Sequence, residues 1–150
     1  MKKKILLALL VILIGIQFIR VDKSVPKYRP SNDFIVSIAA DGPAAVKFKE
    51  ACYDCHSYET TYPWYFNIAP VSWWLKGHIN GGRKHLNFSE WAAYSDDDRA
   101  HALKEMQEEI EEKHMPLGSY TWTHPEARLS DEDRAMLITW LGTIAAGPLD

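Results

Sequence analysis

The sequence predicts an all-α domain preceded by an N-terminal membrane-anchor helix. A basic start, Met1-Lys-Lys-Lys, runs into an apolar stretch over residues 5–19. Downstream, apolar residues recur at helical spacing and nothing alternates at the two-residue period of a half-buried strand. Two helix-start signals, Ser95-Asp-Asp-Asp and Ser130-Asp-Glu-Asp, each open such a stretch. The chain divides into an anchor or signal segment (1–20), a tether and N-terminal arm (21–42), and one helical domain (43–147). That length suits a single modest core.

The basic start and the apolar run have the length of a signal-peptide core or a short anchor. Gln17-Phe-Ile-Arg-Val21 is bulky and charged where a small-residue cleavage site would stand, which favours an uncleaved single-pass anchor. The lysines keep that end cytoplasmic, so the C-terminal domain is expected on the periplasmic face of a bacterial inner membrane. Cleavage would instead release a secreted periplasmic protein. With 47% apolar and 12% aromatic residues, six of them Trp, the chain is globular rather than disordered. Four basic residues flank the apolar run, leaving 13 against 20 acids beyond it, a net −7. That balance excludes nucleic acid, whose phosphates want a basic face, and fits a cationic docking partner.

The tether begins polar, but Phe34-Ile-Val-Ser-Ile38 is too apolar for a free linker and should dock on the domain, as an arm or a short edge strand. Asp41-Gly-Pro43 opens a helix with Ala44, Ala45, Phe48 and Ala51/Cys52 on one face. Residues 58–70 read as an aromatic loop, and 71–80 as a short helix ended by Gly81-Gly82. Asn87 or Ser89 caps a short helix through Trp91 and Tyr94. The helix at 96–113 carries Ala100, Leu103, Met106 and Ile110 as a stripe on an acidic background, and Met115-Pro116 breaks it. Its glutamates from Glu105 to Glu112 read as a solvated face. After a loop at 117–129, the last helix buries Leu137, Trp140, Leu141 and Ile144 and stops at Gly147-Pro148.

The only two cysteines stand in Cys52-Tyr-Asp-Cys55-His56, at the end of a predicted helix. This C-x-x-C-H spacing is the attachment signature of c-type haem. Residues i and i+3 share a helix face, so both sulfurs reach the two vinyl groups along one porphyrin edge. His56 is then carried over the ring as the proximal iron ligand. A thiol-redox C-x-x-C would need a βαβ context, and a zinc site a further ligand. The backbone carbonyl orienting His56 is expected near Pro63 or Pro70.

For the second axial position Met115 leads, because it lies just past a helix end beside Pro116. A thioether there stabilises ferrous iron and raises the potential. A Met beside a Pro can equally be core packing. His78, His85, His114 and His124 compete, an open sixth site is the remaining option, and His101 reads as solvated. The aromatics at 62–66 and Trp73-Trp74 read as core, with the consequence of a dry wall that raises the potential if they line the haem.

Two resemblances meet at these residues. Phe48 four before Cys52, Leu137 with Trp140, and Met115-Pro116 ahead of Leu129-Ser-Asp-Glu-Asp-Arg134 resemble class I cytochromes c. That likeness implies a cytochrome-c-like helical domain around one covalent haem c, His56/Met115 ligation and electron transfer. More closely, the chain resembles a bacterial haem-binding domain family with a short membrane anchor. The tracts are Cys52–His56, Tyr62-Pro-Trp-Tyr65, Ile68-Ala-Pro-Val-Ser-Trp-Trp74, Gly82-Arg-Lys-His-Leu-Asn-Phe-Ser89, Met115-Pro-Leu117 and His124-Pro-Glu-Ala127, within residues 43–147. This second resemblance implies haem binding alone. With the electron transfer implied by the class I likeness, the expected function is a membrane-tethered one-electron carrier rather than an enzyme, with an unidentified redox partner protein. The alternatives are a peroxidase-like haem enzyme, with His85 or His114 as acid/base, and a redox or gas sensor.

Overall fold

The computed structural model describes residues 1–147. Among these, seven α-helices and four short 3-10 turns account for the secondary structure, and no strand is present. The helices are α1 (Lys2–Ile16), α2 (Phe34–Ser37), α3 (Gly42–His56), α4 (Val71–His85), α5 (Asp96–Glu111), α6 (Gly118–Thr121) and α7 (Asp131–Ala146). The domain is therefore all-α, as its periodicity requires.

The membrane-anchor expectation is overturned. Among the described residues no helix is long and apolar enough to cross a membrane. α1 has 15 residues, which at 1.5 Å each is about 22 Å, short of the ~30 Å hydrocarbon core. The apolar run continues to Ile19, but the helix does not. Gln17 is drawn onto the domain, its amide donating to the Ala69 carbonyl (3.0 Å) and accepting from the Ala69 amide (3.0 Å). Arg20 follows, donating to the Asn67 carbonyl at 2.8 Å. The single-pass inner-membrane placement that rested on this segment falls with it.

The domain is built on α3, which packs against α4 on one side and α7 on another, while α5 lies along α7. The caps form where the sequence places them. Ser95 Oγ accepts from the Asp98 amide (3.2 Å) and Ser130 Oγ from the Asp133 amide (3.0 Å), the latter in a full capping box. Acids in the first turns of α5 and α7 complement the helix dipole. Asn87 caps a 3-10 turn through Ala93. Leu103, Met106 and Ile110 face the core with Ala102; Ala100 is on the exposed side. Leu137 and Leu141 are fully buried, with Trp140 and Ile144 packed against the cluster. Gly147 ends α7; Pro148 lies outside the described residues.

The arm at 34–38 is a helical turn rather than a strand, and it enters the centre of the core. Phe34 has no exposed surface, its ring 4.7 Å from that of Trp91 and 5.4 Å from that of Phe48. Asp33 makes this entry possible. Its Oδ1 accepts from the Ile35 and Val36 amides and from the Tyr53 hydroxyl at 2.9 Å. Its Oδ2 is buried without a hydrogen-bond partner. Burial, first among the causes, raises the Asp33 carboxyl above its ordinary 3.8. The folded state therefore favours the protonated form, a stabilisation complete below pH 3.8 and lost as pH rises through the raised value. Asp33→Asn keeps the acceptor and should remove that slope, holding neutral-pH stability within about 1 kcal/mol of wild type. Asp33→Ala loses the cap and strands the Tyr53 hydroxyl, a cost of about 1–3 kcal/mol. Denaturant titrations at pH 4 and 7 check both.

Candidate functional site

The last turn of α3 brings Cys52, Cys55 and His56 together. Both thiols are free and half-buried. Burial pushes the Cys52 thiol up to about 12 and the Cys55 thiol up to about 11, the Asp54 carboxylate adding to the second. Redox-active C-x-x-C pairs have depressed values; here burial instead disfavours the thiolate form of both cysteines. Nor, among the described residues, does any group of three His, Cys, Asp or Glu side chains stand ready for a bare metal ion.

His56 Nδ1 lies 3.1 Å from the Leu86 carbonyl, which can only accept. Nδ1 therefore carries the hydrogen and Nε2 the lone pair, the tautomer a metal-binding imidazole needs. Burial lowers the His56 pKa and keeps the ring neutral. The orienting carbonyl is thus at Leu86 and not near Pro63 or Pro70. The reason is that α4 runs through Gly81-Gly82 to His85 instead of ending there, which delivers Leu86 to the ring. Gly82 is the contact point: a Cβ there would stand 2.8 Å from the Cys55 carbonyl oxygen and 3.4 Å from His56 Cε1. Arg83, next in line, donates from Nε to the Ser57 carbonyl (2.7 Å) and from Nη2 to Thr60 Oγ1 (2.8 Å), holding the chain that leaves the motif.

Beside Cys55 an apolar cleft opens between α4 and the segment 117–124. Its walls include Phe66, Leu75, Ile79, Leu117, Tyr120 and Cys55 itself, with His78 and His124 also reaching it. The donor set fits a haem: two thiols at thioether spacing, one neutral imidazole and an apolar wall. The cleft holds about 40 Å³, against about 300–1,000 Å³ for pockets taking organic ligands, so filling it parts the walls.

The candidate distal ligands fall in different places. Met115 is half-buried in the turn after α5, its amide bonded to the Glu109 carbonyl and its own carbonyl to Arg134 Nη1 (3.0 Å). Leu117, two residues on, is the nearest part of that stretch lining the cleft. His78 Nδ1 is bonded to the Trp74 carbonyl (2.9 Å) and His124 Nδ1 to the Tyr120 carbonyl (3.0 Å), leaving each Nε2 as the acceptor nitrogen. His85 is exposed at the end of α4. His114 and His101 are exposed beside glutamates.

Sequence reasoning missed Asp54 and Tyr120. The Tyr120 hydroxyl donates to Asp54 Oδ2 at 2.9 Å, across 66 residues. Burial first, then the Asp54 charge, raises the Tyr120 pKa, so the phenol keeps its proton. Only the unassigned acid inside the motif hinted at this contact.

Neither the curated proteins nor the solved structures include a match to this chain. The model of one protein family, described as a haem-binding domain, matches residues 11–143. With Cys52, Cys55, the oriented imidazole of His56 and the apolar cleft all inside that span, the chain belongs to the haem-binding domain family and is a haem-binding protein.

Proposed function

We propose that this protein carries one haem c, joined through Cys52 and Cys55, with His56 as its proximal ligand, and serves as a one-electron carrier. The observation that carries the reading is the His56–Leu86 bond. It orients a neutral imidazole beside two protonated thiols on one helix face. When bound, the haem supplies an iron that cycles between two oxidation states. This chain's residues fix its edge, orient its proximal ligand and exclude water. Tyr65, Phe66, Leu75, Ile79 and Leu117 form a wall that disfavours the extra charge of ferric iron. The likeness to class I cytochromes c supports the same role, and the net −7 of residues 21–150 suits a cationic redox partner.

The segment from Met115 to His124 supplies the distal side. α4 packs on His56 through Gly82 and Leu86, and the residues from Leu117 to His124 line the cleft across from the α4 residues Leu75 and Ile79. Met115 is the ligand the class I likeness supports. His124 is the second reading, favoured by its place in the cleft wall. A peroxidase-like site is less well supported, since His85 and His114 are exposed and neither lines the cleft.

An absorption spectrum of protein matured with a haem-attachment system, with and without carbon monoxide, tests the function. A red protein whose ferrous form resists carbon monoxide is expected; ready binding would reject a sealed carrier. Met115→Ala should abolish the weak near-infrared band of thioether-bound ferric iron and lower the potential. An unchanged spectrum in that variant, with a change in His124→Ala, would transfer the role to His124.

A further inference from the structure

The distal segment has to be held against the attachment helix, and one hydrogen bond inside the motif is placed to do it. Asp54 lies between the two cysteines. Its carboxylate is oriented from the far side by the Thr61 amide, which donates to Oδ1 at 2.8 Å, and its carbonyl accepts from Thr60 Oγ1 at 2.6 Å. The remaining oxygen, Oδ2, takes the Tyr120 hydroxyl at 2.9 Å. Tyr120 is fixed in turn. Its ring stacks on His124 with centroids 4.2 Å apart and planes 20° from parallel. Its carbonyl takes His124 Nδ1. Tyr65 braces the same stretch through Thr123 Oγ1 at 2.9 Å.

Tyr120 stands five residues after Met115 and four before His124, so both candidate distal ligands hang from the stretch it anchors. We propose that the Asp54–Tyr120 hydrogen bond is a clasp that holds the 115–124 segment across the sixth coordination position and keeps the iron closed to outside ligands. Tyr120 and Asp54 are positioning residues. Neither touches iron in this scheme, and the clasp does not depend on which of the two ligands binds. The inference rests on the haem occupying the cleft beside Cys55 with the Asp54–Tyr120 bond kept as the walls separate.

A charge-assisted bond of this kind shifts an opening equilibrium by about tenfold or more. Tyr120→Phe keeps the ring, the stack and the volume and removes only the hydroxyl. In the matured full chain it should retain wild-type covalent haem, while its ferrous form binds carbon monoxide about tenfold faster or more. Asp54→Ala should open the site to a similar degree. The Asp54→Ala/Tyr120→Phe double variant should open it no further than Tyr120→Phe, which gives up both the Asp54 bond and the hydroxyl's longer approach to the Glu50 carbonyl (3.5 Å). Unchanged carbon monoxide rates in the single variants, or additive effects in the double, would overturn the clasp. So would loss of covalent haem in Tyr120→Phe alone, which would make the tyrosine a maturation or folding residue. A wild-type protein without covalent haem would instead refute the haem assignment itself, and the two failures are told apart by the wild-type spectrum.

Discussion

Replacing both thiols, as Cys52→Ala with Cys55→Ala, should eliminate all haem that survives acid extraction while the apoprotein still folds. The separation of these effects follows from where the sulfurs sit. Cys52 packs against the buried core cluster, and Cys55 faces the cleft. Each substitution removes one small, half-buried group, a cost of about 1 kcal/mol. A thioether link, by contrast, would have no other donor, because these are the only two cysteines. Haem staining after denaturing electrophoresis reads the first effect and helical circular dichroism the second. A double variant that stayed stained would refute thioether attachment outright. The single variants should each retain one thioether and a weaker stain.

The second large effect is expected at Gly82, and two opposing terms decide its sign. Glycine inside a helix is less favourable than alanine by about 1 kcal/mol, so Gly→Ala in α4 would ordinarily stabilise. At Gly82 the added Cβ would meet the Cys55 carbonyl oxygen at 2.8 Å and its carbon at 3.3 Å. Both are backbone atoms of α3, which cannot turn aside as a flexible side-chain end can. Separating α4 from α3 costs about 1–3 kcal/mol and pulls Leu86 away from His56. Gly82→Ala should therefore lower the denaturant midpoint and reduce haem occupancy. Gly81 provides the control, since nothing lies within 4 Å of a Cβ built there. Gly81→Ala should leave the protein unchanged or stabilise it by up to about 1 kcal/mol. Equal behaviour of the two variants would show that the α3–α4 contact yields easily and does not position the imidazole.

Local chemistry was legible along most of the domain. The serines at 95 and 130, followed by acids, forecast two caps because capping depends on a side chain and an amide three residues away. The apolar stripe of α7 was legible for the same reason, since helical spacing alone sets which side chains share a face. In α5 one member of the stripe was misread, Ala100 standing where Ala102 is the buried alanine. Alanine is small enough to suit either face, and only packing against α7 assigns Ala102 inward.

The errors share a physical origin. Gly81-Gly82 reads as a helix end on local propensity, yet α4 continues because Gly82 is where it touches α3. The apolar run at 5–19 has the composition of an anchor, but the helix stops at Ile16 and Gln17 bonds to Ala69, 52 residues away. Phe34 lies in a stretch that begins like a linker and is drawn to the hub of the core by Asp33 and Tyr53.

Residue identity and short-range spacing determined the C-x-x-C-H motif, the helix starts and the buried stripes, because those depend on atoms only a few residues apart. The three-dimensional packing decided which carbonyl orients His56, how far α4 extends, and that Tyr120 reaches Asp54. Each of these joins groups from 26 to 66 residues apart. No local pattern encodes such contacts, since they exist only after helices have chosen their neighbours.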